Sequence, residues 1–378
     1  MELKDIRNTI DQIDDQMLEL FVRRMAASRE VAAYKKEHGL PILDSGRERE
    51  VLNRVTEKAG EGLERYAKLL YQTMFDLSRG YQSSLLSAGS PLMKRLEEAV
   101  AGKKEKLPNR ALVACQGTEG AYAQKACDHM FEFANILYMN TFDDVFAAVE
   151  KGMCPYGVLP IENSSAGSVT EVYDLMKGRD FSIVRGTRLH IVHALLTRGA
   201  KLGQIREVIS HEQAVRQCAP FLKAHPEIRV TLCANTAVAA QTVANSGRDD
   251  LAAIASPACA ELYGLTALPD SIQASDNNHT RFIVISKKPE IYPGANRISL
   301  MLTLPHVAGS LYRMIARFSA LEMNLLKIES RPIPGRDFEF MFYFDVEASC
   351  ANPEVLSLLA ELESTVSQFA FLGNYAEV

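Results

Sequence analysis

A helical repeat of apolar positions dominates the first ninety residues. Apolar side chains recur at alternating three- and four-residue spacing from Leu3 to Leu20, which predicts an amphipathic helix. Glycine and proline are absent until Gly39 and Pro41, so this helix should extend over residues 2–37. At 1.5 Å per residue it would be roughly 50 Å long, more than the width of a compact domain of this size. We therefore expect it to pair with a second copy of the chain.

Two cations fall on one face of this helix. The apolar spacing leads from Leu20 to Arg24, and Lys35 lies three turns further on, nearly eclipsed with Arg24. A charge on an apolar seam is costly unless an anion meets it, so the pair predicts an anionic ligand. Arg7 lies roughly 25 Å from Arg24 along the axis, so only the Arg7 of a second chain could join this site. Taken singly, Arg7 and Arg47 are better explained as solvated helix charges.

Two further helices follow. In the second, Ser45 is predicted as the N-cap and Glu48 completes a capping box, and the helix should end near residue 59. The third helix should span residues 63–86. These three helices are predicted to form an all-α domain.

The polar residues of this segment resemble the active-site pattern of the all-helical chorismate mutases. The resemblance implies an intertwined dimer of three-helix chains that rearranges chorismate to prephenate, with one arginine supplied across the interface. The matching residues, in order, are Arg7, Arg24, Lys35, Asp44, Arg47, Glu48, Ser78 and Gln82.

The resemblance also implies a role for each residue. Arg7 from the second chain, Arg24 and Arg47 would bind the two carboxylates of chorismate. Lys35 and Gln82 would donate hydrogen bonds to the breaking ether oxygen. The remaining residues expected to bind substrate, around its ring hydroxyl and beside Gln82, are Asp44, Glu48 and Ser78.

A break in the helical pattern marks a domain boundary. Residues 87–91 form a Ser/Ala/Gly/Pro cluster, and residues 101–109 are rich in lysine, with a short helix predicted at 92–100 between them. We predict a helical domain at 1–90 and a linker at 91–109.

Residues 110–290 alternate between short apolar runs and helical stretches, which predicts an α/β domain with mostly parallel sheets. The return strand near residue 282 suggests two lobes, one at 110–187 completed by that strand and one at 190–276, with a ligand between them. The predicted strands are 111–115, 136–139, 156–159, 191–196, 208–210, 230–233, 252–255 and 282–285.

Two of these strands adjoin dense polar sequence. Residues 160–168 (PIENSSAGS) follow one strand, and residues 276–281 (DNNHTR) lead into another. Ligands of open α/β sheets bind at strand ends, and groups mounted on regular structure are held rigidly. We therefore predict that Thr280 and Arg281 form part of a rigid site.

Two other features of this segment have plainer explanations. The loop at 117–120 (GTEG) lacks the lysine and the spacing of a Walker motif, which argues against nucleotide binding. His211 could act as a general base, but a lone histidine after a strand is more often a helix cap.

Five elements of this segment resemble prephenate dehydratases: PIENSSAGSV, SHEQA, NTAVAA, AAIASPACAELYGL and NNHTRF. The resemblance implies a two-lobed fold like that of periplasmic binding proteins and conversion of prephenate to phenylpyruvate with loss of carbon dioxide and water. Ala121 and Ala123 depart from the hydroxyl residues expected in the first loop. By resemblance the catalytic residues are Thr280, which would assist the departing hydroxide, Asn163 and Gln213. Substrate-binding residues would be Glu162, Ser164 and Arg281.

Residues 296–378 read as strand, helix, strand, strand, helix and strand, a ferredoxin-like α+β order. Two motifs, GSLY at 309–312 and ESRP at 329–332, resemble those of the ACT domains attached to dehydratases. Those domains bind phenylalanine between two chains. Ser310 here replaces the usual alanine. A module that only dimerises is the alternative. The effector-binding residues implied are Gly309, Ser310, Leu311, Glu329, Ser330, Arg331 and Pro332.

Composition restricts the partners, cofactors and cellular compartment that the sequence predicts. The 378 residues suffice for several domains, and a net charge of −5 argues against a nucleic-acid partner. The seven cysteines lack metal-ligand spacing, so we expect reduced thiols, no metal and no cofactor. The charged first helix lacks a signal-peptide core, and no apolar run is long enough to span a bilayer, so a cytoplasmic protein without membrane contact is predicted.

Taken together, the sequence predicts a bifunctional enzyme that carries chorismate to phenylpyruvate as a homodimer or higher homo-oligomer, with L-phenylalanine as effector. Two alternatives stay open at this point. The chain could be a sensor of aromatic ligands without turnover, or its middle domain could dehydrate arogenate.

Overall fold

In the computed structural model the chain divides into two compact units. One comprises Met1–Ala101 and Leu300–Phe371, and the other comprises Gly102–Ser299 and Leu372–Val378. The residues that the structure describes are 2–86, 90–102, 104–333, 335 and 339–378.

The first segment is all helical, as predicted. Asp44, rather than Ser45, is the N-cap of the second helix, and its carboxylate accepts a hydrogen bond from Arg47 N at 2.9 Å. A carboxylate at this position also meets the positive end of the helix dipole, which explains why it displaces the serine. Residues 87–89 of the predicted break lie outside the described residues. The helices are α1 (Leu3–Glu37), α2 (Ser45–Lys58), α3 (Glu64–Leu86) and α4 (Pro91–Ala101).

The N-terminal half of α1 carries an uncovered apolar seam. Leu3, Ile10 and Leu20 are 62%, 50% and 60% exposed, and Ser28 and Ala32 are the buried residues of this helix. The described part of the chain therefore leaves about five turns of apolar surface open to a partner.

The middle segment contains two sheets with helices packed against them. The first sheet has the strand order β2-β1-β3-β11-β5, with β4 paired to β3, and the second has the order β10-β6-β9-β7-β8. The strands are β1 (Arg110–Gln116), β2 (Phe133–Met139), β3 (Tyr156–Asn163), β4 (Gly167–Ser168), β5 (Ser182–His190), β6 (Ala194–Thr197), β7 (Glu207–Ser210), β8 (Arg229–Leu232), β9 (Leu251–Ala255), β10 (Thr266–Ala267) and β11 (His279–Ser286). The helices are α5 (Tyr122–Met130), α6 (Phe142–Glu150), α7 (Thr170–Met176), α8 (Glu212–Gln217), α9 (Ala219–Ala224), α10 (Thr236–Asn245) and α11 (Ala258–Tyr263), with a 3-10 turn at Leu202–Gln204.

The prediction of mostly parallel sheets was wrong. β1 is parallel to β2 and β3, and β7 is parallel to β8 and β9, but β11 is antiparallel to both β3 and β5, and β6 is antiparallel to β9. The reason is that β11 returns from the second lobe and inserts between two strands of the first. Strand β5 was missed because Arg185 and Arg188 interrupt its apolar run, and as an edge strand it tolerates them.

The C-terminal segment has the predicted βαββαβ order. Its four strands lie in the order β13-β14-β12-β15, so β13 and β15 are edges. Along the described ranges, no helix combines the length and apolarity that crossing a bilayer requires. The elements are β12 (Arg297–Thr303), α12 (Ser310–Ala320), β13 (Asn324–Pro332), β14 (Phe340–Glu347), α13 (Pro353–Thr365) and β15 (Phe369–Tyr375).

Candidate active sites

A cavity of about 950 Å³ lies between α1, α2 and α3. Apolar side chains from α1 and α3 form much of its wall, and the polar residues predicted for the mutase converge on it from all three helices. Arg7 is exposed on α1, outside this cavity. The predicted residues that line it are Arg24, Lys35, Asp44, Arg47, Glu48, Ser78 and Gln82.

Arg24 is half-buried and surrounded by neutral groups. Its Nη1 donates to Ser78 Oγ and to Met74 O at 3.3 Å, and its guanidinium carbon lies 5.7 Å from the centre of the Phe75 ring. Ser28 Oγ lies 3.4 Å from Ser78 Oγ and extends this set of dipoles. Because these partners orient the guanidinium without neutralising it, the positive charge is left for an anionic ligand.

Two further polar side chains line the cavity. Lys35 Nζ donates to the carbonyl of Ile42 at 2.5 Å, which holds the ammonium at the wall. Gln82 is 7% exposed, and its Oε1 has no hydrogen-bond partner among the described residues. A buried amide oxygen without a partner is unusual, so it points to a group that a ligand would supply.

The acidic side of the cavity is held by a residue that sequence reasoning missed. Arg79 donates through Nη1 to Glu48 and through Nη2 to Asp76. The spacing of Asp76 and Arg79 at i and i+3 was the available signal, but such a pair is usually a surface pair. Arg47 instead pairs with Glu50 at 2.6 Å, with 56% of its side chain exposed.

A second cavity, of about 690 Å³, lies between the two sheets of the middle segment. The loop after β3, helix α8 and the segment before β11 all contribute to its lining. Gln213 lines it, half-buried. His211 is the N-cap of α8 and accepts a hydrogen bond from Gln213 N at 3.3 Å, in agreement with its interpretation as a cap.

Thr280 and Asn163 lie behind this cavity in one hydrogen-bonded network. The two residues face each other across β11 and β3, and Asn163 Nδ2 donates to Thr280 Oγ1 and to Asn278 Oδ1, both at 2.9 Å. Asn163 Oδ1 accepts from the backbone N–H groups of Ser165 and Ala166 at 3.0 and 2.9 Å. The side chain of Asn163 is therefore fixed from both ends.

Three members of this network were missed. Gln217 Oε1 accepts from Asn278 Nδ2 at 3.0 Å and from His193 Nε2 at 2.7 Å, and Gln217 Nε2 reaches Asn163 Oδ1 at 3.3 Å. Gln217 lies one turn after Gln213 on α8, and that spacing was the signal that could have found it. Asn278 lies in the polar stretch 276–281 that was predicted at the site but was not singled out there, and His193 had no comparable signal.

Thr280 and Arg281 do not share a site. Consecutive residues of a strand point to opposite faces, and the register pairs Thr280 with Asn163 and Arg281 with Glu162. Arg281 is 4% exposed, and its Nε lies 2.7 Å from Glu377 Oε2. A carboxylate of the protein itself thus occupies the position where the sequence suggested one from a substrate.

The other predicted residues near this site have local roles. Ser164 Oγ donates to Asn277 O at 3.0 Å and accepts from His279 N at 2.9 Å, which ties the loop after β3 to the start of β11. Ala121, the N-cap of α5, and Ala123 are both buried, and neither brings a hydroxyl group to this loop.

The predicted effector residues form two groups in one chain. Gly309, with φ of 83°, is the N-cap of α12, and Ser310 and Leu311 line a cavity of about 320 Å³. Ser310 Oγ accepts from Arg313 Nη2 at 3.2 Å. The second group lies on the edge strand β13, outside that cavity, and comprises Glu329, Ser330, Arg331 and Pro332.

The described ranges contain no group of three or more His, Cys, Asp or Glu side chains that could hold a metal ion. The seven cysteines are free thiols.

Two family models match the two segments that contain these cavities. The family model for chorismate mutase type II matches residues 6–83, and the model for prephenate dehydratase matches residues 113–290. The fold and these two family models therefore define an enzyme with a chorismate mutase domain and a prephenate dehydratase domain.

Individual relatives also match over most or nearly all of the chain. The bifunctional chorismate mutase/prephenate dehydratase of Enterobacter agglomerans is 31% identical, over 98% of this chain and 95% of that protein. Arogenate dehydratase/prephenate dehydratase 2 of Arabidopsis thaliana is 36% identical, over 71% of this chain and 73% of that protein. The solved prephenate dehydratase of Arthrobacter aurescens, in complex with L-Phe, is 27% identical with a TM-score of 0.64, covering 70% of this chain and 89% of that one. The chain belongs to the family of bifunctional chorismate mutase/prephenate dehydratases, enzymes of phenylalanine biosynthesis.

The network around Gln217 predicts a pH dependence. Burial lowers the pKa of His193 below its ordinary value of 6.5, an effect that the hydrogen bond to Gln217 partly opposes. The unfolded chain then binds a proton at a higher pH than the folded chain does, so His193 should reduce stability as the pH falls below about 6.5. Unfolding of the dehydratase domain by urea at pH 7.5 and pH 5.5 should show this loss, and His193→Gln should make it smaller. The exposed His129→Gln is the control, and an equal loss in both variants would contradict the prediction.

Proposed function

We propose that the helical cavity rearranges chorismate to prephenate and that the cavity between the two sheets converts prephenate to phenylpyruvate. The observation that carries the first assignment is the convergence of seven predicted residues on one cavity. The second rests on the network that joins Thr280 and Asn163 to Gln217. We propose segments 1–90, 91–109, 110–290 and 296–378 as mutase, linker, dehydratase and regulatory module.

The mutase reaction is pericyclic and needs neither a nucleophile nor a proton transfer. The site has to hold the reactive conformer of a dicarboxylate and stabilise the charge that develops on the breaking ether oxygen. Arg24 has neutral partners and so retains its charge for a carboxylate. Lys35 and Gln82 both line the cavity, where the ammonium of Lys35 and the amide nitrogen of Gln82 would donate to the ether oxygen, and Glu48, held by Arg79, would bind the ring hydroxyl.

A second copy of the chain completes this site. The exposed seam at the start of α1 supports pairing between copies, because an isolated chain would leave that apolar surface in water. Arg7 lies on this uncovered half of the helix, too far along the axis to reach the cavity of its own chain. We propose that Arg7 enters the cavity of the partner in a homodimer.

In the dehydratase reaction the bond to the carboxylate breaks, its electron pair enters the ring, and the ring hydroxyl leaves. The departing hydroxide takes up a proton and becomes water, so a hydrogen bond to that oxygen lowers the barrier. Thr280 Oγ1 accepts from Asn163, which leaves the threonine hydrogen free to be donated. Thr280 would thus give electrostatic assistance, with Gln213 at the cavity wall contacting the substrate.

The C-terminal module would bind L-phenylalanine. The solved relative in complex with L-Phe supports this ligand, as does the motif that contains Ser310. Since the second group of effector residues does not line the cavity of the first, the module of a second copy is proposed to supply the other half. Phenylalanine can inhibit only if it binds one state of the enzyme better than another.

A second candidate substrate is arogenate, because one relative carries both dehydratase activities in its name. The mutase domain of the same chain would produce prephenate, which favours prephenate over arogenate as the substrate of the middle domain. Parallel turnover of the two compounds by the purified chain would distinguish them.

The cross-chain site predicts complementation between two inactive variants. Lys35→Ala and Arg7→Ala should each lower the mutase rate by two to three orders of magnitude, roughly the loss caused by removing one transition-state donor. When the two variants are unfolded and refolded together, hybrid dimers contain one intact site, so part of the rate should return. The matched control is Lys36→Ala, an exposed neighbour on the same helix, which should keep the parent rate. Failure of the mixture to regain activity would contradict a site shared between chains.

Thr280→Val should remove dehydratase activity while chorismate rearrangement continues. The change keeps the shape of the side chain but deletes the hydroxyl that Asn163 orients, so we expect kcat for prephenate to fall by about 10²-fold. Thr280→Ser should recover most of the rate. Turnover of prephenate at the parent rate by Thr280→Val would exclude the hydroxyl from the reaction.

Chorismate supplied to the parent chain should yield prephenate and then phenylpyruvate, and L-phenylalanine should lower the second rate. Product formation is followed by chromatography at increasing phenylalanine concentrations. Phenylalanine binding, measured by calorimetry, with no change in either rate or substrate affinity would remove the regulatory proposal while leaving the two activities in place.

A further inference from the structure

The residues that follow β15 attach the chain to the edge of the dehydratase sheet. We call residues 376–378 the tail. Gly186 N donates to Ala376 O at 3.0 Å, and Val378 N donates to Gly186 O at 2.9 Å, so the tail continues the sheet beside β5. Just before it, a Cβ on Gly373 would lie 2.1 Å from Ile183 O, so only glycine allows this close approach. The backbone therefore seats the tail in a defined register.

The tail places a carboxylate in a cluster of arginines. Glu377 Oε2 lies 2.7 Å from Arg281 Nε and 3.3 Å from Arg297 Nη2, while Oε1 lies 2.5 Å from Arg188 Nε. Tyr375 Oη, also buried, accepts from Arg281 Nη2 at 2.6 Å. Arg281 is 4% exposed, and a guanidinium so deeply buried requires a partner of opposite charge. Glu377 lies nearer to Arg281 than Glu162 does, since the Oε2 of Glu162 is 3.8 Å from Arg281 Nη1.

This cluster acts on the strand that carries Thr280. Arg281 follows Thr280 directly in β11 and points to the opposite face, so the two side chains share one peptide unit. The ion pair with Glu377 and the hydrogen bond to Tyr375 fix Arg281 on the face opposite Thr280. Because the two residues are adjacent in the strand, these contacts also limit how far Thr280 can shift relative to Asn163.

We infer that Glu377 and Tyr375 are positioning residues of the dehydratase site, acting through Arg281 on the Thr280 end of β11. The inference rests on the proposed role of Thr280. It assigns Arg281 to the support of the strand instead of to a substrate carboxylate. The residues after β15 would thus belong to the dehydratase, although they follow the C-terminal module in the chain.

The test compares Glu377→Gln with Arg188→Gln in the full-length chain. The first change removes the charge that Arg281 faces, whereas the second removes an exposed partner of the same carboxylate and leaves Arg281 paired. We expect Glu377→Gln to lower kcat for prephenate about tenfold with KM within about twofold, because a small misplacement of a catalytic group costs rate. Glu377→Asp should recover part of kcat, and Arg188→Gln should match the parent.

Chorismate mutase activity of the same samples gives the amount of active chain, circular dichroism and urea unfolding show whether the dehydratase segment is folded, and assays are run well below the melting temperature of each variant. Should Glu377→Gln fold poorly, Tyr375→Phe removes only one hydrogen bond to Arg281 and should lower kcat about threefold. A parent-like kcat in both variants overturns the inference, and so does a raised KM at unchanged kcat, which would mean that Arg281 contacts substrate. An inactive parent chain would instead refute the proposed dehydratase function.

Discussion

The antiparallel pairing of β11 with β3 is the constraint on which the dehydratase half depends. Strand β11 leaves the second lobe and inserts between β3 and β5, which completes the first sheet and joins the two lobes at the same point. Its register places Thr280 opposite Asn163. A slip by one residue would turn Thr280 to the other face and bring the guanidinium of Arg281 into the network. The register therefore determines both where the hydroxyl lies and which side chain reaches the network.

Buried positive charge is handled differently in the two halves of the chain. Around Arg24 the partners are a hydroxyl, a carbonyl and an aromatic ring, which leave the charge available to a ligand. Around Arg281 the partners include Glu377, so that charge is neutralised within the protein. Because an unpaired buried cation is costly, the kind of partner determines how much of the charge of each arginine is left uncompensated.

Much of each site could be predicted from residues that lie close together in sequence. The seam position of Arg24 and the turn spacing of Ser78 and Gln82 are properties of a helix, and they follow from its period alone. Arg79 and Gln217 were not found, because each acquires its role from a contact between distant segments. Local spacing assigned both to ordinary helix surfaces, since it carries no information about what faces them.

Local patterns in the sequence were enough to predict the helices of the first segment, the alternation of strands and helices in the second and the βαββαβ order of the third. They were also enough to identify the residues that carry the two family resemblances. Three features became visible in the folded chain alone: the mixed pairing of the sheets, the separation of Thr280 from Arg281 and the pairing of that arginine with Glu377. The physical reason is that periodicity reports which residues share a face of one element. Strand order, register and the partner of a buried charge depend on chain segments almost a hundred residues away, whose pairing is selected by packing and desolvation over the whole domain.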